Sequence, residues 1–198
     1  VATLSTLISL PLAAGIAYAF ARYNTGGQKL RLIILSSQML PPVVLMLPLF
    51  SMFLAVNLNN SLTAIILSHL VIAIPFLAWI LVPYFQGDIA IVEQAARIDG
   101  ATRLQAFLHI TLPVAAPGIL AAGILAFILS WNEFLFALIL GGGGANTLPV
   151  GLASLQSSRG VDTALVSAGT LISILPVIVI LPLMRRHLIS GLSLGAVK

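Results

Sequence analysis

Charge is scarce in this sequence and cysteine is missing. Only 7% of the 198 residues are Asp, Glu, Lys or Arg, 60% are hydrophobic, and there is no Cys. Without cysteine there is no disulfide framework and no thiolate metal site. A soluble domain carries about 25% charged residues. So little charge cannot cover a water-facing surface, and the mean hydropathy of +1.14 makes a bilayer the natural solvent. The net charge of +4 does not point to nucleic acid, because the basic residues are scattered between apolar runs and form no patch. No G-x-x-x-x-G-K-[ST] phosphate loop occurs, and the run Gly141–Gly144 lacks the lysine that would reach a phosphate. His109 and His187 have no metal-ligand spacing around them.

What is abundant is apolar sequence in long runs. A spanning helix needs about 20 such residues. Five runs qualify: Val1 to about Ala21, Leu32 to Val56, Leu62 to Phe85, Pro117 to Leu140 and Ala164 to Met184. They lack the strict alternation of barrel strands and are too long for them, so helices are expected. Between the runs, Arg22, Lys29, Arg31, Arg97, Arg103, Arg185, Arg186 and Lys198 fall on one side of the membrane when loops are counted alternately, and Arg159 alone on the other. By the excess of positive charge the first side is cytoplasmic and the C-terminus lies inside. The sequence starts at Val1 within an apolar run, with no basic segment before it, so it does not read as a signal peptide. An N-terminal truncation is expected, with one upstream helix bringing the full protein to six spans.

Prolines lie in or at the ends of the runs: Pro11, Pro41, Pro42, Pro48, Pro75, Pro83, Pro176 and Pro182. Each removes a backbone donor and tends to kink a helix. A bundle bent around a pathway fits this, as does the ordinary frequency of proline in spanning helices.

The third connection, Asp88 to Pro113, reads DIAIVEQAARIDGATRLQAFLHITLP. Ile89, Val92 and Ala96 recur at helical spacing, as do Leu104, Phe107 and Leu108. Gly100 separates the two patterns and suits a left-handed helix end. Asp88 fits an N-cap, and Pro113 ends or bends the second helix. The prediction is a short helix–turn–helix on the cytoplasmic face, with Glu93, Arg97 and Arg103 facing outward.

This segment resembles the EAA loop of ABC-importer permeases, E-A-A-x3-G-x9-I-x-L-P. Gln94, Ala95, Ala96, Gly100, Ile110, Leu112 and Pro113 stand at that spacing, with Gln94 in place of the usual glutamate and Glu93 directly before it. The resemblance implies an all-α polytopic transmembrane bundle of permease type, residues 1–198, whose coupling loop (86–116) docks on an ATP-binding cassette subunit. It implies coupling positions at Glu93, Gln94, Ala95, Ala96, Asp99, Gly100, Ile110, Leu112 and Pro113. ATP and Mg would then be bound by partner subunits, leaving this chain with no cofactor and no ATPase site. SWNEFLFALIL (Ser130–Leu140), NTLPVGLASLQ (Asn146–Gln156) and the ending RRHLISGLSLGAVK are similar to the carbohydrate-uptake branch, specifically its maltose-type second permease subunit. That likeness implies a sugar or oligosaccharide cargo, a partner permease, an extracytoplasmic solute-binding protein and a plasma-membrane location. It also implies that the tail 185–198 reaches toward the ATPase subunits. The periplasmic loop 141–163 corresponds to one that enters the binding protein in maltose-importer relatives, although four glycines equally suit an ordinary mobile connector.

Within the spans, Glu133 is the one acid inside an apolar run. Measured from Pro117 it lies ~24 Å along a helix. With Trp131 and Asn132 it could line a sugar pathway, or serve as an interfacial anchor. Ser68 and His69 are adjacent and point in different directions, so they cannot act as nucleophile and base. His69 is expected to be a hydrogen-bonded bundle residue, and Gln38 and Asn57 to be packing or interface groups. An ion-gradient transporter is the alternative function, but it would call for internal repeats or buried ionisable relays. An intramembrane enzyme would require a nucleophile–base set drawn from separate helices.

Overall fold

In a computed structural model the described residues are 1–23, 25–157, 160–161 and 163–193, with backbone alone described at Leu35, 156–161, Leu181 and 183–193. The side chains of the basic tail and all of residues 194–198 therefore lie outside the described residues, as does Arg159. The helices are α1 (Ala2–Tyr23), α2 (Gly27–Ser37), α3 (Pro42–Ala55), α4 (Leu62–Leu81), α5 (Asp88–Ile98), α6 (Arg103–Ala106), α7 (Leu112–Trp131), α8 (Leu135–Leu140), α9 (Leu148–Ser154) and α10 (Thr163–Ser193). A 3-10 turn (Pro83–Phe85) precedes α5, a π turn (Phe107–Thr111) joins α6 to α7, and Gln156–Ser157 pairs antiparallel with Gly160–Val161.

Among the described residues four helical stretches are long and apolar enough to cross a membrane: Ala2–Tyr23, Leu62–Leu81, Arg103–Trp131 and Thr163–Ile180. Five were expected from the sequence, and the difference lies in the run Leu32–Val56, which is two helices. Pro42 forces Pro41 into extended backbone (φ −57°, ψ 133°) and itself opens α3, as a residue before proline must. Carbonyls near the end of α2 are met locally: Ser36 and Ser37 donate to the Ile33 and Ile34 carbonyls at 2.9 and 2.7 Å. Gln38 Nε2 ties the break to α4, donating to the Ile72 carbonyl at 3.3 Å. Asn57 is a turn residue, not a packing group. It sits at φ 55° while the Leu58 N–H closes on the Phe53 carbonyl at 2.8 Å, the left-handed helix ending that Asn tolerates.

The run Pro117–Leu140 also differs from the single helix expected. Its helix starts upstream at Arg103, passes through Pro113 and Pro117, and stops at Trp131, after which α8 begins anew. Pro113 thus neither ends the second elbow helix nor breaks the chain. The ladder before it widens instead, the Leu112 N–H bonding the Phe107 carbonyl five residues back.

Small residues set the packing. Ser5, Ser9, Ala13 and Ala17 of α1 are fully buried, with Ala64 and Ala78 of α4 and Ala115, Ala121, Ala122 and Ala126 of α7. Lipid offers no hydrophobic drive between helices, so close backbone approach must supply the attraction. A second cluster joins Ala64 and Ile65 to Phe136, Ala137, Leu140 and Ala145. The glycine run that precedes Ala145 is a tight turn. Gly142 and Gly143 have φ 149° and 62°, and the Ala145 N–H donates to the Gly142 carbonyl at 2.9 Å. The stretch 141–163 thus contains α9 and a strand pair.

Gly118 of α7 lies under the Tyr84 ring, where an added Cβ would come within 2.3 Å of a ring carbon. Gly118→Ala should therefore lower stability by about 1–3 kcal/mol, and adding Tyr84→Ala should recover part of the loss. Thermal unfolding in detergent checks both.

Candidate functional site

The elbow between α4 and α7 is built by three turns of specified backbone. Gly87, at φ 71°, precedes α5 and takes the N-cap position, so Asp88 is the first helical residue and not the cap. Its carboxylate still meets the positive end of the helix. At the far end Gly100 has φ 96°, with Gly100 N–H to the Arg97 carbonyl at 3.3 Å and Ala101 N–H to the Ala96 carbonyl at 3.0 Å. These two bonds are the Schellman closure, which needs a left-handed residue at that place. Thr102 then caps α6: its Oγ1 accepts the Gln105 N–H at 3.3 Å and Gln105 Oε1 accepts the Thr102 N–H at 2.9 Å. This capping box went unread in the sequence, although T-x-x-Q is its signature.

Glu93 does not face outward as the sequence suggested. It is 3% exposed. Its Oε1 accepts the Tyr18 hydroxyl at 2.6 Å, and its Oε2 accepts Arg22 Nε at 2.9 Å and the Thr111 hydroxyl at 2.8 Å. The reason is helical phase. Ile89, Glu93 and Ala96 share one face of α5, and Ile89 packs on the core, so Glu93 is carried inward with it. Burial pushes its carboxyl pKa up. The hydrogen bonds from Tyr18, Thr111 and Arg22, with the charge of Arg22, outweigh that and hold it below the ordinary 4.5. Aromatic rings close the surroundings: Tyr18 to Phe107 at 4.4 Å and to Phe85 edge-on at 5.9 Å. Arg103 is exposed as expected, with its guanidinium 5.2 Å from the centre of the Tyr23 ring, a cation–π distance.

The remaining coupling positions divide by face. Gln94, Ala95, Asp99, Gly100 and Pro113 are exposed, and Ala96, Ile110 and Leu112 are half-buried. Apolar side chains stand out on the elbow: Ile98 is 86% exposed, Ile91 67%, Leu104 65% and Val92 50%.

Trp131, Asn132 and Glu133 do not converge. Trp131 stacks on Phe127 and donates from Nε1 to the Ser173 carbonyl of α10 at 3.0 Å. Asn132 is exposed and donates to the Ile128 carbonyl of its own helix at 2.9 Å. Glu133 turns toward α4. Its Oε1 accepts the Phe136 N–H at 2.9 Å and its Oε2 the Ala137 N–H at 3.2 Å, which starts α8. His69 lies between Ser130 Oγ (2.6 Å from Nδ1) and Glu133 Oε2 (3.2 Å from Nε2). His69 is thus the hydrogen-bonded bundle histidine expected, and its serine partner comes from another helix. This Ser–His–Glu row borders a cavity of about 50 Å³. Through Glu133, which takes the Phe136 and Ala137 N–H groups, the row fastens a helix break.

Long apolar helices packed through small residues, with an elbow of charged and apolar residues anchored by a buried ion pair, define a polytopic membrane protein. The chain belongs to the family of binding-protein-dependent transport system inner membrane components, which matches residues 9–193. It is 38% identical over 200 residues to the sulfoquinovosyl glycerol transport system permease protein of Agrobacterium fabrum, covering 100% of this chain and 70% of that protein. It is 36% identical over 199 residues to the trehalose transport system permease protein of Mycobacterium tuberculosis (98% and 73%). It is 32% identical over 201 residues to the trehalose/maltose transport system permease protein of Thermococcus litoralis (100% and 72%). A crystal structure of a bacterial ABC transporter involved in the import of the acidic polysaccharide alginate shares the fold, with TM-score 0.69 and 21% identity over 92% of this chain and 72% of that one. The protein is therefore a transmembrane permease subunit of an ATP-driven, binding-protein-dependent importer, as its EAA-like loop implied.

Because the folded pKa of Glu93 lies below its unfolded value, the unfolded chain binds more protons as pH falls. The stability that Glu93 contributes is complete above the ordinary value of 4.5 and is lost as pH falls through the lower folded value. Glu93→Gln should cost about 1–3 kcal/mol at neutral pH and flatten the acid limb of stability against pH, measured by thermal unfolding in detergent.

Proposed function

We propose that the elbow is the surface on which a nucleotide-hydrolysing subunit docks, and that the cargo is a sugar or oligosaccharide. The observation that carries the docking is the row of exposed apolar side chains led by Ile98, 86% exposed at the end of α5 beside Gly100. Apolar groups clustered on a segment outside the spans mark a protein contact. Ala95 and Gly100 keep that face low, and the Schellman closure keeps it in one shape. ATP and Mg would be bound by the ATPase subunits; when those subunits close, the docked elbow moves, and the bundle passes between two arrangements. This chain contributes no hydrolytic residue. The carbohydrate cargoes in the names of the three relatives support the sugar reading.

In this arrangement a second permease subunit covers part of the apolar surface of α3 and α10, where Leu47, Met52, Leu171 and Val179 are exposed. An extracytoplasmic solute-binding protein meets the side bearing the glycine turn and α9. The elbow and the C-terminus face the cytoplasm, in line with the distribution of basic residues.

Ile98→Glu should release the ATPase subunit, read as its loss from the purified complex. Gly100→Val puts a β-branched residue at a positive φ and should lower sugar uptake per assembled complex by about tenfold or more, since each 1.36 kcal/mol is a factor of ten. Normal uptake with normal assembly in both variants would defeat the docking reading. Orientation can be tested with single cysteines, since residues 1–198 contain none. In whole cells Asn146→Cys should react with an impermeant maleimide, and Gln86→Cys only after permeabilisation.

A further inference from the structure

The elbow has two routes into the bundle. One is covalent, through α6 and the π turn into α7. The other is through side chains to the last turns of α1. Both arms of the elbow rest on that second seat. From α5, Glu93 takes the Tyr18 hydroxyl on one carboxylate oxygen and Arg22 on the other. From the second arm, Phe107 lies 4.4 Å from Tyr18, and Arg103 lies 5.2 Å from the centre of Tyr23. Tyr18, Arg22 and Tyr23 all belong to the final six residues of α1.

The two routes differ in stiffness. The covalent one passes a π turn and then Pro113, so the regular i to i−4 ladder is interrupted there. The side-chain route is a buried ion pair with both carboxylate oxygens occupied, at side-chain exposures of 10% and 4%. Pulling such a pair apart strands a charge in a dry site, which is costly. Beyond the seat, α1 is stiffly mounted, since its buried Ser5, Ser9, Ala13 and Ala17 pack closely within the bundle. Thr111, bonded to the same carboxylate at 2.8 Å, ties the π turn to this seat as well.

We propose that Glu93 is a positioning residue that makes α1 the output of the elbow, so that motion delivered to α5 moves the end of α1 as one body with it. The inference rests on the docking reading above. It adds that the stroke enters the bundle through Tyr18 and Arg22 of α1 as well as along the chain into α7.

The test uses the complete complex in proteoliposomes, with its ATPase subunits, partner permease and loaded binding protein. Cargo transported per ATP hydrolysed is measured. Arg22→Gln should lower this ratio on the order of tenfold, the scale of one hydrogen bond to a charge. Tyr18→Phe, which keeps the ring contacts, should lower it less, and Arg22→Lys should restore part of the loss. In the unmutated seat, spin labels at Thr25 and Asp88 should keep one separation in the nucleotide-free and ATP-bound complexes. Arg22→Gln should make that separation change with nucleotide. An unchanged transport ratio in assembled Arg22→Gln and Tyr18→Phe complexes would overturn the α1 route and leave docking standing. So would a label separation that already changes in the unmutated seat, a measurement that does not depend on any variant folding. If ATP hydrolysis by the partner subunits drives no uptake in the unmutated complex, the docking reading falls and this inference falls with it.

Discussion

A carboxylate withdrawn from water must find its partners within the protein, and Glu93 finds three. Tyr18, Arg22 and Thr111 come from the first span and from the π turn, and they meet on one side chain of a helix that crosses no membrane. Without that meeting α5 would be held to the bundle by Ile89 packing and by its chain ends. With it, the elbow has a defined tilt, one face turned in and one face turned out. The outward face then presents Ile91, Ile98 and Leu104 among exposed charges such as Arg97 and Asp99, while the Glu93 carboxylate is taken inside.

The same demand for internal partners explains where the helices break. Lipid supplies no donors or acceptors, so an interrupted helix must carry its own. At Pro41–Pro42 two serines do this, and Gln38 fastens the break to α4. After Trp131 the work falls to Glu133, which accepts two backbone N–H groups, while His69 joins it to Ser130. Glu133 is thus accounted for by the backbone it satisfies and His69 by the two side chains it joins, and together they anchor α8 against α4, where Phe136 and Ala137 are fully buried.

Much of this was legible in the sequence, and the failures share a cause. The helices at Ala2–Tyr23 and Leu62–Leu81 and the reversal at Gly100 follow from local composition and local dihedral preference, which a single chain states directly. The run 32–56 and the run 117–140 read as single spans because hydropathy averages over a proline pair or a Trp-Asn-Glu step without registering a change of direction. Glu93 read as exposed because acids usually are. Its partners lie 75, 71 and 18 residues away, beyond the reach of periodicity, although Ile89 and Ala96 already shared its face. His69 behaved alike: the adjacent Ser68 points elsewhere, and Ser130, 61 residues distant, carries no local sign.

The π turn at Phe107–Thr111 also sets an angle. One residue more than an α-helical repeat rotates everything upstream by about 100° relative to everything downstream. The face that α6 presents and the face that α7 buries are therefore independent settings on one continuous helix. Deleting a single residue from this turn would leave α7 intact and yet aim Leu104 in a new direction. The extra residue is thus an angular adjustment: the direction of the elbow can be set without disturbing the packing of the helix that follows it.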